Sequence, residues 1–523
     1  MKISIFNTHD ITGGASRAAY RLHKGLQEIG FKTNMLVRHK KSKDDSIVQV
    51  IPRESTYSGE KKIFNAVQRY FIEENRTEIS NTLFSFPYPG YDISNTDIIR
   101  NSDIINLHWI HYFQSVETIS NLLNTGKPVI WTLHDQGSFT GGCHYTAGCK
   151  KYESDCKNCP QLDFKTVDIP YSVLNNKINN YFEKDFVIVT PSQWLASCAR
   201  NSRLFSRLRI EVIPYSIETD IYKPMPKQTA KNHLGLNPES KVLLFGAHLD
   251  EKRKGFEKLF ESLQILSDRI RVKDSVIKNQ IHLLCVGDFK DIPPDLPFPL
   301  TNLGYIDSDD KLAVVYSAAD IFLLPSLEDN FPNTILESMA CGTPVVGFNI
   351  GGIPDVVKDN YNGYAIEPFN IAEFAKAIEK LIFDDKKRYL MSTTCRNFIK
   401  KNYRLEIQAK RYANLFSDIA INNSSECNND KVETAPEIPV DNWKSNLHSE
   451  FNELYRIAAA NVILEKEEEL RKVIKELVQE KHELKVELIE RSDQLANIYN
   501  SYSYKWGRLL TYFPRLIKSK LFK

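Results

Sequence analysis

The sequence lacks a long apolar run, and this absence limits how the chain can relate to a membrane. No stretch of about 18 consecutive apolar residues occurs in the 523 residues, so we expect no transmembrane helix. The N-terminal KISIF is too short for the apolar region of a signal peptide and leads into a Gly-rich turn. We therefore expect a cytoplasmic protein whose nine cysteines are reduced.

The sequence also lacks an excess of charge of one sign. Lys and Arg number 68 and Asp and Glu 66, which gives a formal net charge of +2. Bulk electrostatics therefore give no reason to expect a nucleic-acid partner, and any basic function must be local. With 42% hydrophobic and 26% charged residues, the composition is that of an ordinary soluble protein. The length predicts about three domains.

Short apolar runs alternate with amphipathic helical patterns along most of the chain. Continuous apolar strands separated by helices predict parallel sheets covered on both faces. The pattern restarts after Pro214, so we predict two doubly wound, Rossmann-like α/β domains, residues 1–214 and 215–421. Ligands in such folds bind beyond the carboxyl ends of the strands, and two facing domains would enclose a cleft. The candidate strands are SIF, TNMLV, DIINLHW, PVIWTLHD, FVIVTPS, RIEVIPYS, KVLLFGAH, IHLLCVGD, ADIFLLPS, TPVVGFN and NGYAI.

The composition changes near residue 422. Residues 422–447 are polar with two prolines and predict a linker. In residues 448–500, Leu and Ile at alternating a/d spacing predict a coiled coil and hence a homo-oligomer, with a solitary solvated helix as the alternative. Residues 501–523 carry six Lys or Arg, no acids and six aromatics. This tail predicts contact with an anionic membrane surface, and a disordered basic terminus is the alternative.

The stretch PSLEDNFPNTILESMACGTPVVG, residues 325–347, follows the apolar run DIFLL. Asn330 as N-cap, Pro332 in the first turn and Gly342 near the end predict a helix that begins just outside a strand end. The unpaired N–H groups at such a helix start suit an anionic phosphate.

Carboxylates flank this predicted helix start, although they would repel a phosphate. They are good acceptors for sugar hydroxyls, and Glu337 lies about 9 Å along the helix from Phe331. One acid can therefore bind hydroxyls on one side of a diphosphate while the second acid binds hydroxyls on the other side, as a nucleotide-sugar requires. The alternative is an acid at the helix start together with an ordinary surface Glu.

The same stretch resembles the acid–seven–acid donor motif of retaining glycosyltransferases of family 4, which have the GT-B fold. Residues 331–342 follow the family's Phe-Gly…Glu-Ala-Met-Ala-Cys-Gly pattern, and the resemblance covers roughly residues 1–415. Alignment on Phe331 places Asp329 in the first acidic position, and Pro332 replaces the usual Gly, which removes one backbone N–H. The resemblance implies that Asp329 contacts the donor sugar, Glu337 the ribose, and the backbone around Asn330, Phe331 and Asn333 the phosphates.

Two further segments match the family's phosphate-binding positions. Lys254 and Gly255 keep the family's Lys-Gly pair, and Arg253 or His248 would replace an Arg whose place is taken here by Ala247. A lysine near a departing diphosphate acts as a compact positive charge; a solvated basic turn is the alternative. The resemblance also implies that Gly13 and Gly14, in the turn after the first strand, approach the phosphates from the opposite domain.

Histidines follow two of the candidate strands. His134 ends WTLHD, where the family has a His that contacts the donor sugar near the reacting centre. His134 and Asp329 are therefore the candidate catalytic residues. His108 and His111 in LHWIH are less specific and either line the acceptor side or pack in the core.

Four cysteines lie within an insertion at residues 141–160. Cys143, Cys149, Cys156 and Cys159 have the spacing C-x5-C-x6-C-x2-C. Four thiolates suit tetrahedral zinc, and C-x2-C is a usual half-site, so we expect structural zinc rather than free or redox-active thiols. A similar loop occurs in a branch of family 4 that builds bacterial exopolysaccharides of the colanic-acid type, where it is expected to shape the acceptor side.

These features together predict an enzyme that uses a nucleotide-diphosphate sugar, and the family resemblance implies that it is a retaining hexosyltransferase. The expected acceptor is a glycan, lipid-linked, in bacterial surface polysaccharide synthesis on the inner face of the cytoplasmic membrane. No Asp-x-Asp motif is evident in residues 247–255 or 325–347, which match the family's donor site, so no cofactor is expected for catalysis. The alternatives are a GT-B nucleotide-sugar epimerase and a non-catalytic coiled-coil organiser of a glycan-synthesis complex.

Overall fold

The fold is known from a computed structural model of the chain. The structure describes residues 1–50, 68–69, 71–80, 82–88, 90–163, 168–246, 251–287, 293–426, 475–481, 483–486, 488 and 490–491. Ala247, His248, the basic tail 501–523, and most of the predicted linker and coiled coil lie outside these ranges. Of the predicted coil, the described residues are helical, with Val478, Leu484 and Leu488 exposed; the coiled coil stays a prediction.

A seven-stranded sheet forms the first domain. Its strand order is β3-β2-β1-β4-β5-β6-β7, and every pair of neighbours is parallel. Buried apolar side chains cover both faces of the sheet, as parallel strands require. The strands are β1 (Lys2–His9), β2 (Lys32–His39), β3 (Ile47–Gln49), β4 (Ile104–Leu107), β5 (Val129–Thr132), β6 (Val187–Thr190) and β7 (Ile210–Val212).

A six-stranded parallel sheet forms the second domain, in the order β10-β9-β8-β11-β12-β13. The two sheets confirm the predicted pair of Rossmann-like domains, and every strand predicted from the sequence is present. The short outer strands β3 and β10 were not predicted. The second sheet contains β8 (Lys241–Gly246), β9 (Ile281–Val286), β10 (Leu300–Asn302), β11 (Ile321–Leu324), β12 (Val345–Phe348) and β13 (Gly363–Ile366).

Helices cover both sheets. None within the described ranges combines the length and apolar character needed to cross a bilayer. The α-helices are Gly14–Glu28, Asp97–Arg100, Val116–Leu123, Ile169–Tyr181, Gln193–Asn201, Lys227–His233, Phe256–Lys273, Ser275–Gln280, Asp309–Ala318, Asn333–Ala340, Ile353–Val356, Ile371–Phe383, Asp385–Asn402 and Leu405–Glu426, and short 3-10 turns occur at Glu73–Asn75, Lys151–Glu153 and Lys252–Lys254.

The helix Leu405–Glu426 packs on the first domain although it follows the second in sequence. Its Tyr412, Phe416 and neighbours share a buried cluster with Ile3 and Ile5 of β1. The Tyr412 hydroxyl also lies 3.0 Å from Thr132 Oγ1 at the end of β5. This last helix therefore belongs by packing to the first sheet, and the domain boundary at residue 214 stays a prediction. The helix continues to Glu426, so residues 422–426, predicted as linker, are helical.

Candidate functional site

A cavity of about 380 Å³ lies where the carboxyl ends of strands from both sheets meet. The starts of two helices face it: Gly14 and Ala15 of the first domain, and Asn333 and Thr334 of the second. Their unpaired N–H groups make such a place favourable for an anion. The cavity is therefore the cleft that the sequence predicts. Other predicted site residues that line it are His134, Arg253, Lys254, Asp329, Asn330 and Phe331.

Asp329 and Lys254 form an ion pair in this cavity. Lys254 Nζ lies 2.7 Å from Asp329 Oδ2, and Arg253 Nη1 lies 3.6 Å from the same oxygen. Burial alone would raise the pKa of the Asp329 carboxyl, but the positive charges of Lys254 and Arg253 and a hydrogen bond from Asn330 N lower it below its ordinary value. Asp329 is therefore ionised at neutral pH, and two cations already lie where an anionic ligand would bind.

The turn that carries these cations depends on one glycine. Gly255 has φ +68°, and a Cβ atom there would lie 2.0 Å from the carbonyl oxygen of Pro325. Only glycine combines this left-handed conformation with so close a backbone approach. The turn after β8 is thereby held against the loop after β11, which brings Lys254 to Asp329.

The cysteine-rich insertion reaches this ion pair through Tyr145. The Arg253 guanidinium lies 4.2 Å from the centroid of the Tyr145 ring, and the Tyr145 hydroxyl lies 3.5 Å from Asp329 Oδ1. Glu328, beside Asp329, accepts hydrogen bonds from the backbone N–H groups of Thr146 at 3.2 Å and Ala147 at 3.0 Å. The insertion therefore contacts the predicted donor loop, and its expected role on the acceptor side stays a prediction.

His134 belongs to a buried hydrogen-bond chain whose direction can be worked out. Asn106 Nδ2 donates to the Ile130 carbonyl at 3.1 Å, so Asn106 Oδ1 accepts from His108 Nε2 at 2.9 Å. His108 Nδ1 then accepts from His134 Nε2 at 3.0 Å, and His134 Nδ1 accepts from the Tyr215 hydroxyl at 2.6 Å. Both ring nitrogens of His134 are thus engaged on the cavity wall, and a sugar hydroxyl would have to displace Tyr215 to bind one.

We expect the free energy of unfolding to fall as the pH is lowered from about 6.5 to about 4. Burial lowers the pKa of His134 and of His23 from 6.5 to about 4 in the folded protein. The unfolded state therefore binds more protons in this window, and stability rises with pH across it. Denaturant unfolding at a series of pH values measures the slope. His23→Asn should flatten it, and an unchanged slope in that variant would contradict the assignment.

Asn330 is not the helix N-cap that the sequence predicts. Pro332, with an extended backbone, precedes the first helical residue, Asn333. The Asn330 side chain instead joins the two domains: its Nδ2 donates to the His134 carbonyl at 2.9 Å, and its Oδ1 accepts from Ser192 Oγ at 2.6 Å. These partners come from the other domain, and a local pattern of residues cannot reveal them.

The predicted ribose ligand, Glu337, is held by other side chains. Its carboxylate accepts from the Arg21 guanidinium at 3.3 Å and from the Tyr316 hydroxyl at 3.1 Å. Arg21 is 1% exposed and also meets Glu218 Oε2 at 2.7 Å. Glu337 is not among the described residues that line the cavity, so its contact with a ribose stays a prediction.

The Gly-Gly turn after β1 lies against the second domain. Asn333 Nδ2 donates to the Gly14 carbonyl at 2.9 Å, which ties the two helix starts together. Gly14 lines the cavity, whereas Gly13 precedes the helix with φ +89° and is not among the lining residues that the structure describes. Of the predicted pair, Gly14 is therefore placed at the site.

Cys143, Cys149, Cys156 and Cys159 all line one separate small cavity of about 20 Å³. Burial, and then the neighbouring thiols, raise the pKa of Cys143, and burial raises that of Cys156 to about 12. In the described ranges no three of these sulfurs lie within 4.8 Å of one another. The insertion therefore gathers the four thiols around one cavity, and zinc binding by them stays a prediction.

Comparison with known proteins finds a similarity in the second domain. Residues 226–398 match the sequence profile of the family described as glycosyl transferases group 1. Over these residues the chain is similar to group 1 glycosyltransferases. Residues 226–398 contain Lys254, Asp329 and Glu337, so the family match includes the part of the site that carries its charge.

Two curated relatives each resemble part of this chain. The D-inositol 3-phosphate glycosyltransferase of Geodermatophilus obscurus is 28% identical over 198 residues, which are 36% of this chain and 43% of the relative. The uncharacterised glycosyltransferase MJ1607 of Methanocaldococcus jannaschii is 26% identical over 192 residues, 36% of this chain and 47% of the relative. The chain thus spans less than half the length of either.

Solved structures share the fold over most of the chain. Sucrose-phosphate synthase from Thermosynechococcus elongatus matches with a TM-score of 0.53 and 18% identity, over 80% of this chain and 99% of that one. Anabaena Alr3699/HepE, in complex with UDP and glucose, matches with a TM-score of 0.53 and 14% identity, over 80% and 99%. Together with the match of residues 226–398, these likenesses show that the protein has the GT-B glycosyltransferase fold.

Proposed function

We propose that this protein is a retaining glycosyltransferase that moves a hexose from a nucleotide-diphosphate sugar to a glycan acceptor. The observation that carries the proposal is the Lys254–Asp329 pair, set between two helix starts, in the part of the chain that matches group 1 glycosyltransferases. The helix starts and the cations suit a diphosphate, and Asp329 suits a sugar hydroxyl. The Anabaena neighbour was solved with UDP-glucose, which supports a nucleotide-sugar donor here.

The reaction needs stabilisation of negative charge on the departing diphosphate. Lys254, Arg253 and the N–H groups at both helix starts would meet that charge without reorganising. When Lys254 pairs with the diphosphate instead of Asp329, the Asp329 carboxylate can accept a hydrogen bond from the sugar. In our proposal a departing phosphate oxygen accepts the proton of the acceptor hydroxyl, so no carboxylate acts as nucleophile, in contrast to a retaining glycosidase.

The proposed acceptor is a lipid-linked glycan of a bacterial surface polysaccharide. Support comes from the basic aromatic tail, residues 501–523, whose composition suits the inner face of the cytoplasmic membrane. A coiled coil within 448–500 would join several tails and raise their membrane avidity. Binding of the full chain to anionic vesicles, compared with a chain ending at residue 500, tests this placement.

Incubation with UDP-, GDP- and ADP-sugars separates the three candidate functions. A transferase is expected to hydrolyse one donor slowly when acceptor is absent, an epimerase to interconvert sugars, and an organiser to do neither. Thermal shifts with the same compounds would identify the preferred base. Interconversion without hydrolysis, or no reaction and no shift with any donor, would overturn the proposal.

Replacing Tyr145 should weaken donor binding. Tyr145→Leu removes the aromatic face under Arg253, an interaction whose loss is expected to raise the donor Kd about 3- to 10-fold. Tyr145→Phe keeps the ring and loses only the 3.5 Å contact with Asp329, so it serves as the matched control with a smaller effect. Calorimetric titration with the donor measures both, and equal affinities in the Leu variant and the wild type would exclude this role.

We also propose that the four cysteines of the insertion hold a structural zinc ion. Support comes from their shared cavity and from the thiolate ligands, which suit tetrahedral zinc once the sulfurs move together. Cys159→Ser should lose one equivalent of zinc per chain and lower Tm, whereas Cys285→Ala, in the core of the second sheet, should keep its zinc. Equal zinc contents in both purified variants, measured by mass spectrometry, would contradict the proposal.

A further inference from the structure

We propose that His111, Asp135 and His144 form a second metal site, for one divalent transition-metal ion such as Zn²⁺. One ligand atom of each residue lies within 4.8 Å of those of the other two, and no other such group of His, Cys, Asp or Glu is found in the described ranges. Two imidazoles and one carboxylate form a ligand set that zinc uses in sites with an open position. The inference does not depend on the proposed transfer reaction.

The carboxylate of this cluster is oriented before any ion binds. Asp135 follows β5, and its Oδ2 accepts a hydrogen bond from Trp109 Nε1 at 2.9 Å. Its Oδ1 accepts from the backbone N–H of Gly137 at 2.8 Å. Outer partners of this kind fix ligating carboxylates in known metal sites.

In its neutral form, His144 directs a lone pair towards that carboxylate. Ser85 Oγ donates to the Tyr112 hydroxyl at 3.1 Å, so it accepts from His144 Nε2 at 2.7 Å. His144 Nδ1 then carries no proton in the neutral ring, yet it lies 2.7 Å from Asp135 Oδ2. Two lone pairs at this distance repel unless a cation lies between or beside them. A metal ion can bind both lone pairs, and a proton on His144 Nδ1 is the alternative that would bridge them.

The third ligand, His111, faces the same space. Its backbone carbonyl accepts from Thr8 Oγ1 at 2.6 Å, which fixes the loop after β4. A Cβ atom on Gly137 would lie 2.9 Å from His111 Nε2 and 3.0 Å from Asp135 Oδ1. Glycine therefore leaves open the space between these two ligand atoms. No hydrogen bond to a His111 ring nitrogen occurs within the part of the chain that the structure describes, so the ring is available to an ion.

The proposed metal site adjoins the donor cavity. Two residues line both the cavity and the proposed site: Asp135 is one of its ligands, and Trp109 donates a hydrogen bond to Asp135. An ion here would lie in the wall that the first domain contributes, separate from the cysteines of the zinc proposal.

Cobalt titration of the metal-free full-length protein tests this inference. Co²⁺ bound by four thiolates gives intense near-ultraviolet charge-transfer bands, whereas Co²⁺ bound by two imidazoles and a carboxylate gives only weak visible bands. We expect the wild-type protein to bind one Co²⁺ ion that gives only the weak visible bands. His111→Ala and Asp135→Asn should each lower the affinity for that ion at least about tenfold. The thiolate signature, whether present or not, should be unchanged by either substitution.

His282→Ala is the matched control, because His282 lies on β9 of the second sheet and bonds only to Thr301 among the described residues. It should keep the weak-signature ion, and circular dichroism of all three variants confirms folding. If wild-type protein binds no ion with the weak signature, or if both ligand variants retain it with wild-type affinity, the cluster is a proton-bridged hydrogen-bond network and the inference is wrong.

Discussion

Lys254→Ala should lower kcat by about 100- to 1,000-fold, the range found when one preorganised group that stabilises transition-state charge is removed. Lys254 Nζ is the cation nearest to Asp329, at 2.7 Å, and it lines the donor cavity. Because the charge on the diphosphate grows as the glycosidic bond breaks, the effect should fall more on kcat than on donor KM. Steady-state transfer or donor hydrolysis measures both constants.

Lys252→Ala is the matched control for this substitution. Lys252 belongs to the same 3-10 turn, but its side chain is exposed and its Nζ donates to the Glu78 carbonyl at 3.0 Å. It removes the same charge from the same turn without touching the cavity, so kcat should change less than about twofold. Equal losses in the two variants would mean that overall charge, rather than the position of Lys254, matters.

Arg21→Met should destabilise the folded protein by about 3–5 kcal/mol, the range for breaking a buried ion pair by removing one partner. The Arg21 guanidinium lies 2.7 Å from Glu218 and 3.3 Å from Glu337, and its side chain is 1% exposed. Without it, the hydrogen bond from Tyr316 is the one that the buried Glu337 carboxylate keeps among the described residues. Denaturant unfolding followed by circular dichroism measures the loss.

Two further variants separate charge pairing from packing. In Arg21→Met combined with Glu337→Gln, the buried charge is removed as well, so part of the stability should return. Arg17→Met removes a partly exposed pair with Asp309 and should cost at most about 1 kcal/mol. A loss in Arg21→Met no larger than in Arg17→Met would show that the buried guanidinium does not hold the two domains together.

The sequence predicts the fold well because the sheet-forming runs are apolar on both faces. The strands β1, β5, β8 and β11 are buried along nearly their whole length, and their apolar runs are visible without any tertiary information. The strands β3 and β10 have three residues each and partly polar sequences, so no periodic signal marks them. The charged turn with Lys254 and the acid Asp329 were also predicted, since both lie in local motifs.

The side chains that complete the site were not predicted, because their partners are distant in the sequence. Tyr145 meets Asp329 across 184 positions, Arg21 meets Glu337 across 316, and Tyr215 meets His134 across 81. A tyrosine or arginine in these segments is equally consistent with a surface position. Asn330 was assigned to a helix cap because the cap is a local pattern, whereas its actual partners are in the other domain. The partners of these residues are therefore determined by long-range packing, which a local sequence pattern does not show.

The helix Leu405–Glu426 has a consequence for synthesis on the ribosome. Translation releases the seven strands of the first sheet early, but the aromatic residues Tyr412 and Phe416, which close one face of that sheet, emerge only about 200 residues after the last of those strands. The half of the protein that is made first is therefore completed last, and until then it exposes apolar surface that chaperones can bind. A fragment ending near residue 214 should accumulate as insoluble material, and supplying residues 405–426 in trans should recover part of it.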